Sequence, residues 1–169
     1  MHAKDILSDG YHRIQEEVHA AVDGLTAGDL NALPGPGANS VTWLIWHLSR
    51  VQDDHIADAA GLDQVWLAQD WDKRFALGLP RHDTGYGHGA AQVAKVRVDS
   101  PGLLTGYYDA VHAQTLGFLR GLTAKDLERV VDERWDPPVS LGTRLVSVLS
   151  DDLQHVGQAA YVRGLIQAS

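Results

Sequence analysis

Ile6, Leu7, Tyr11, Ile14, Val18 and Val22 fall at spacings of one, four, three, four and four, which puts them on one face of a helix from Ala3 to about Val22. Gly24, Leu25 and Thr26 end that helix, and Asp29 follows Thr26 at the capping-box spacing. Pro34-Gly35-Pro36-Gly37 forbids regular structure until Asn39 and Ser40 offer a new N-cap. A second helix is predicted from Val41 to about Ala60, dense in bulk at Val41, Trp43, Leu44, Ile45, Trp46, Leu48, Val51 and Ile56. From Gly61 to Ser100 the periodicity is poor and Gly78, Pro80, Gly85, Gly87 and Gly89 interrupt it, leaving room for short helices near 64–71 and 89–96. Pro101 suits the first turn of a third helix reaching about Arg120, and after Pro137-Pro138 a cap at Ser140 opens a fourth from Leu141 to about Ile166. Four long helices without a strand pattern predict an all-α, up-and-down four-helix bundle with a long irregular excursion between its second and third helices.

Gly24-Leu25-Thr26-Ala27-x-Asp29-Leu30 recurs as Gly121-Leu122-Thr123-Ala124-x-Asp126-Leu127. Each copy stands between a long helix and a Ser-capped successor. A reused turn accounts for the tetrapeptide alone, since Gly ends a helix and Thr caps the next. The matching placement of Ser40 and Ser140 supports more: two helical pairs related by a pseudo-twofold axis, whose second and fourth helices face each other across a shared site.

The length of 169 residues fits a single domain over 1–169. A net charge of −8 repels a nucleic-acid backbone and argues against DNA or RNA as partner. The absence of cysteine excludes disulfides, thiolate zinc sites and a protein thiol nucleophile, so any sulfur chemistry needs a thiol from outside. No stretch approaches the roughly 18 apolar residues of a membrane span, and the N-terminus has no apolar signal region, so the expectation is a cytoplasmic protein with no membrane partner.

Asp151 and His155 stand four residues apart, about 40° apart on one face of the fourth helix. His47 lies on the second, with Arg50 and Asp54 within about 60° of it. Two imidazoles and a carboxylate suit a divalent ion with one or more positions left for water or substrate. The same Asp-x-x-x-His spacing also serves a surface charge pair. Arg50 and Arg163 are candidates for receiving an anionic substrate group or for pairing with internal carboxylates, and Asp54 for orienting a ligand, binding a water or lining a solvated acidic face. His55 follows Ser40 at the offset at which His155 follows Ser140, a sign of ancestry rather than ligation. His112 reads as a packing histidine, and the five tryptophans as core with one or two lining a pocket. Arg81 through Gly89 reads either as a lid or as a solvent loop.

Asp151-x-x-x-His155-x-Gly157-Gln158, after a helix bearing Trp43-Leu44-x-x-His47-Leu48, resembles the DinB-like four-helix metalloproteins over essentially the whole chain. Most members carry His-x-x-x-His where Asp151 and His155 stand here. The carboxylate is similar to the actinobacterial mycothiol-dependent branch. Trp43 through His55, Val131 through Pro138 and Gln154 through Gly164 look like its mycothiol S-transferases. The resemblance implies a divalent metal, zinc, held by His47, Asp151 and His155, and a pocket containing Arg50, Asp54 and Arg163. It also implies mycothiol as co-substrate, joined to an electrophilic small molecule in a detoxifying transfer. An isomerase working through a transient thiol adduct, a metal-dependent hydrolase and a non-enzymatic stress-related helical module are the alternatives on the same scaffold. Exposed aromatic surface leaves room for a homodimer.

Overall fold

Ser40 and Ser140 open two of the long helices with the same backbone geometry, φ −78° and ψ 161° at each. Their hydroxyls accept the N–H three residues on, from Trp43 at 3.1 Å and Thr143 at 3.2 Å. In the computed structural model, which describes residues 2–168, the chain runs α1 (Ala3–Val22), α2 (Ala27–Asn31), α3 (Val41–Ala60), α4 (Val65–Ala68), α5 (Trp71–Phe75), α6 (Ala90–Val93), α7 (Pro101–Gly121), β1 (Val130–Asp132), β2 (Val139–Ser140) and α8 (Leu141–Gln167). The sequence echo is a structural one. Thr26 and Thr123 each donate through Oγ1 to the carboxylate three residues on, both at 2.6 Å.

The long helices α1, α3, α7 and α8 form the expected bundle. Around its perimeter the order is α1, α8, α3, α7. Tyr11 donates to the Leu145 carbonyl at 3.1 Å and Arg163 to that of Ala20 at 2.5 Å, so α1 and α8 run parallel. Lys4 reaches the Arg120 carbonyl at 3.0 Å and Gln15 reaches Asp109 at 2.7 Å, so α1 and α7 are antiparallel. His47 meets His155 with ring centroids 4.7 Å apart while Arg144 reaches His55 at 2.7 Å, which makes α3 antiparallel to α8. The directions are therefore up, down, down, up, in place of the strict alternation expected of an up-and-down order. Within each pseudo-symmetric half the two long helices, α1 with α3 and α7 with α8, lie across the diagonal, so the halves interlock.

This topology explains the long excursion. Because α7 runs parallel to α3, the chain must return along a helix of about 30 Å before α7 can begin. The return path is pinned at both ends. Asp53, fully buried on α3, accepts the N–H groups of Val65 and Trp66 at 2.8 Å each and the Tyr107 hydroxyl at 2.8 Å. At the far end, Asn31 donates to the Val98 carbonyl at 2.7 Å and accepts the Val98 N–H at 3.1 Å and the Thr42 hydroxyl at 2.9 Å. Trp66, Trp71 and Phe75 pack on Tyr107 between these anchors. Among the described residues the strand structure is limited to the two-stranded β1·β2 ribbon. With three residues and two, its strands are too short to register as an alternating pattern. Among the described residues no helix is long and apolar enough to cross a membrane.

Burial raises the Asp53 carboxyl above its usual range, against the hydrogen bonds from Trp66, Tyr107 and Val65 that favour the charged form. Removing that carboxylate strands a buried guanidinium at Arg50 together with two amide donors. We expect Asp53→Ala to lose about 3–5 kcal/mol of unfolding free energy in urea titration. A loss below about 1 kcal/mol contradicts this role.

Candidate metal centre

The antiparallel crossing of α3 and α8 brings His47, Asp151 and His155 together, with one ligand atom from each lying within 4.8 Å of the others. Three donors around one zinc at about 2.1 Å stand roughly 3–4 Å apart, so the group is close to that arrangement. His47 is buried and stacks on Trp43, with ring centroids 4.5 Å apart. Its Nδ1 lies 2.5 Å from the Thr84 carbonyl oxygen. A carbonyl only accepts, so Nδ1 carries the proton and Nε2 keeps its lone pair. Burial draws the imidazole pKa down, leaving the neutral, ligating form at neutral pH. His155 follows the same logic: its Nδ1 lies 3.1 Å from Gln158 Oε1 and its Nε2 faces Asp151 Oδ1 at 3.7 Å. Asp151 Oδ2 is buried with no hydrogen-bond partner. An orphaned carboxylate oxygen beside two imidazole lone pairs is the chemistry of a cation site, and the residues fit a divalent ion.

Asp152 is a different object. It is fully buried, and neither carboxylate oxygen has a hydrogen-bond partner. Burial, reinforced by the charge of Asp151, pushes its carboxyl well above the carboxylate range. Its carboxyl lies on the side of the core near Tyr11 and Tyr108, away from the centre.

The segment Arg81–Gly89, left between lid and solvent loop by the sequence, is packed over the centre. Trp43 Nε1 donates to His88 Nδ1 at 3.1 Å, which leaves His88 Nε2–H to donate to Asp83 at 2.9 Å. Asp83 also accepts the Gly85 N–H at 2.8 Å, and its carbonyl accepts Arg50 Nε at 3.1 Å. These bonds fix the carbonyl that holds His47. A Cβ on Gly85 would lie 2.8 Å from His47 Nδ1 and 2.9 Å from Trp46 Cζ3, and φ there is +88°. Only glycine fits both the close approach and the left-handed backbone.

Beside the centre, a cleft of about 660 Å³ between α3, α8 and the β1·β2 ribbon includes Asp151 and Thr84 in its wall. Asp54 lines it and is held by Gln64 at 2.6 Å, outside the ligand group. The other two expected pocket residues are placed elsewhere. Arg50 is fully buried and spends its guanidinium on Asp83, Tyr107, Gln64 and Asp53, which removes it from any anionic substrate. Arg163 bonds the Ala20 carbonyl on the α1 side of the bundle, likewise away from the cleft. Four tryptophans are buried, while Trp135, 66% exposed, lines the cleft. His112 is buried and meets His12 at 3.2 Å, a packing histidine far from the centre. Sequence reasoning missed the Thr84 carbonyl, Gln158 and Arg144, which lies in the cleft wall. Gln158, three residues beyond His155, was the one with a readable signal.

Two substitutions test the centre. Asp151→Asn should weaken zinc binding at least 10–100-fold while Asp152→Asn binds nearly as the parent protein; loss in the second with retention in the first reverses the assignment. Gly85→Ala should displace the Thr84 carbonyl and cost roughly 10–100-fold in zinc affinity by calorimetric titration. Unchanged affinity there removes the Thr84 carbonyl from the support of His47.

A model of the DinB superfamily matches residues 11–159. A crystal structure of a conserved protein from Enterococcus faecalis is similar over 100% of this chain and 99% of that one, with 35% identity and a TM-score of 0.94. No curated protein matches.

Proposed function

The chain belongs to the DinB superfamily, and from that premise we propose that it is a divalent-metal-dependent thiol S-transferase, joining a low-molecular-weight thiol to an electrophilic small molecule. The observation that carries the reading is the donor set: two imidazoles, each with its Nδ1 tied back and its Nε2 turned inward, and a carboxylate with an orphaned oxygen, beside a cleft, in a chain with no cysteine. A divalent ion held there supplies the positive charge that keeps an incoming thiol, with an ordinary pKa near about 8.5, in its reactive deprotonated form at pH 7.

The chain's own residues prepare that event. Thr84 and Gln158 fix the ring nitrogens of His47 and His155, so neither imidazole has to reorganise as charge develops. Asp151 adds a negative charge that balances the site, and Trp43, stacked on His47, keeps water from that face. In the transfer the thiol proton leaves to solvent, sulfur bonds to the electrophilic carbon, and the leaving group departs with its electron pair. The resemblance of Trp43 through His55, Val131 through Pro138 and Gln154 through Gly164 to mycothiol S-transferases supports mycothiol as the thiol and zinc as the ion, and the exposed aromatic rings of Tyr86 and Trp135 support a homodimer.

The test is a panel of thiols with 1-chloro-2,4-dinitrobenzene, with and without zinc. Conjugation should require an added thiol, favour mycothiol over glutathione, disappear after chelation and return with zinc. No adduct with any thiol from zinc-loaded protein overturns the transferase reading.

A further inference from the structure

The relation that carries Ser40 onto Ser140 carries His47, Asp151 and His155 onto Ser147, Val51 and His55. The mate of the metal centre thus keeps one imidazole and loses the other two donors. It is the open cleft itself, since Val51, His55 and Ser147 all line it. Two copies of one ancestral arrangement therefore lie side by side along the α3·α8 crossing, one suited to a cation and the other hollow.

His55 is held there in a defined state. Arg144 Nη1 lies 2.7 Å from His55 Nδ1, and a guanidinium only donates, so Nδ1 is the acceptor and Nε2 bears the proton. Arg144 is fixed in turn by Asp132 at 2.9 Å, and Asp132 is gripped by Arg134 through two further bonds of 2.9 Å. Burial and the neighbouring Arg144 charge hold the ring below its ordinary pKa, so it stays neutral. Nε2–H has no hydrogen-bond partner among the described residues and is not sealed from solvent. A donor whose tautomer is set from behind, with its free N–H open in a cleft beside the metal centre, is built to meet a ligand.

We infer that His55 reads the electrophile, its Nε2–H donating to a neutral hydrogen-bond acceptor, a nitro or carbonyl oxygen, conjugated to the carbon under attack. The inference rests on the thiol-transfer reading above. Carboxylate ligands are disfavoured because the cleft wall sets three carboxylates, Asp54, Asp132 and Asp151, against two guanidinium groups, Arg134 and Arg144. Trp135 and Tyr86, 66% and 90% exposed, supply aromatic faces in the cleft wall for a flat ring. When sulfur adds to 1-chloro-2,4-dinitrobenzene, negative charge moves onto a nitro oxygen; the carbon–chlorine bond then breaks with its electron pair on chloride. A fixed N–H donor strengthens as that charge builds, so His55 acts on kcat more than on KM.

The test uses the zinc-loaded full chain with mycothiol and two electrophiles, 1-chloro-2,4-dinitrobenzene and benzyl chloride, which has no acceptor. His55→Phe should lower kcat roughly 10–100-fold for the first, change the second less than about threefold, and leave zinc affinity unaltered; His55→Gln, which restores an N–H near the same place, should recover most of the loss. Equal losses on both electrophiles, weakened zinc binding, or no loss in His55→Phe overturn the role. Unreactive 2,4-dinitrotoluene supplies a readout independent of turnover: in 15N-histidine spectra it should shift His55 Nε2. If the parent protein conjugates nothing, the thiol-transfer reading has failed. The titration then decides the acceptor site alone, a shift at His55 sustaining it and no shift overturning it.

Discussion

The hydrogen bond between His47 Nδ1–H and the Thr84 carbonyl joins the two parts of the molecule that matter most. On one side is α3, a helix buried on nearly every face; on the other is the excursion that returns along it. The bond fixes a tautomer, and through the tautomer it directs a lone pair at Asp151 and His155. It forms because Gly85 allows the backbone to approach where any Cβ would collide. The approach itself depends on Arg50, whose buried guanidinium holds the Asp83 carbonyl one residue earlier. An arginine enclosed in the core is expensive to bury, and it is tolerated because carboxylate, hydroxyl, amide and carbonyl oxygens satisfy it together.

The bundle's directions make this arrangement possible. With α3 and α7 parallel, the connecting segment has to run the length of the helix it leaves, and it passes over the crossing with α8 on the way. A tight hairpin there would have left His47 uncovered and its Nδ1 facing water. The pseudo-twofold then places a second, degenerate copy of the crossing beside the first. In that copy Val51 and Ser147 stand where Asp151 and His47 stand in the other, and the cleft lies there, so one repeated element yields both a cation group and the space next to it.

The sequence revealed the long helices to within a residue or so, because their apolar periodicities run over 20 positions or more and their caps are Ser and Pro at standard sites. It also brought out the three candidate ligands, through spacing on α8 and resemblance for the pairing with α3. The support of those ligands was hidden for a physical reason. Thr84 acts through a backbone carbonyl, which carries no side-chain signature, and Arg144 acts across 89 residues on His55. Arg50 and Arg163 misled because a helical offset gives direction without depth: one points into the core and the other around to α1. The order of directions was equally unreadable, since periodicity fixes which face of a helix is buried and leaves its partner open.

The function depends on the His47, Asp151 and His155 side chains converging on a common divalent ion. Anomalous diffraction at the zinc edge from crystals soaked in zinc tests it most directly. One strong peak is expected about 2.1 Å from His47 Nε2, His155 Nε2 and an Asp151 carboxylate oxygen. A peak elsewhere with none at the crossing of α3 and α8, or no peak under zinc saturation, would contradict it.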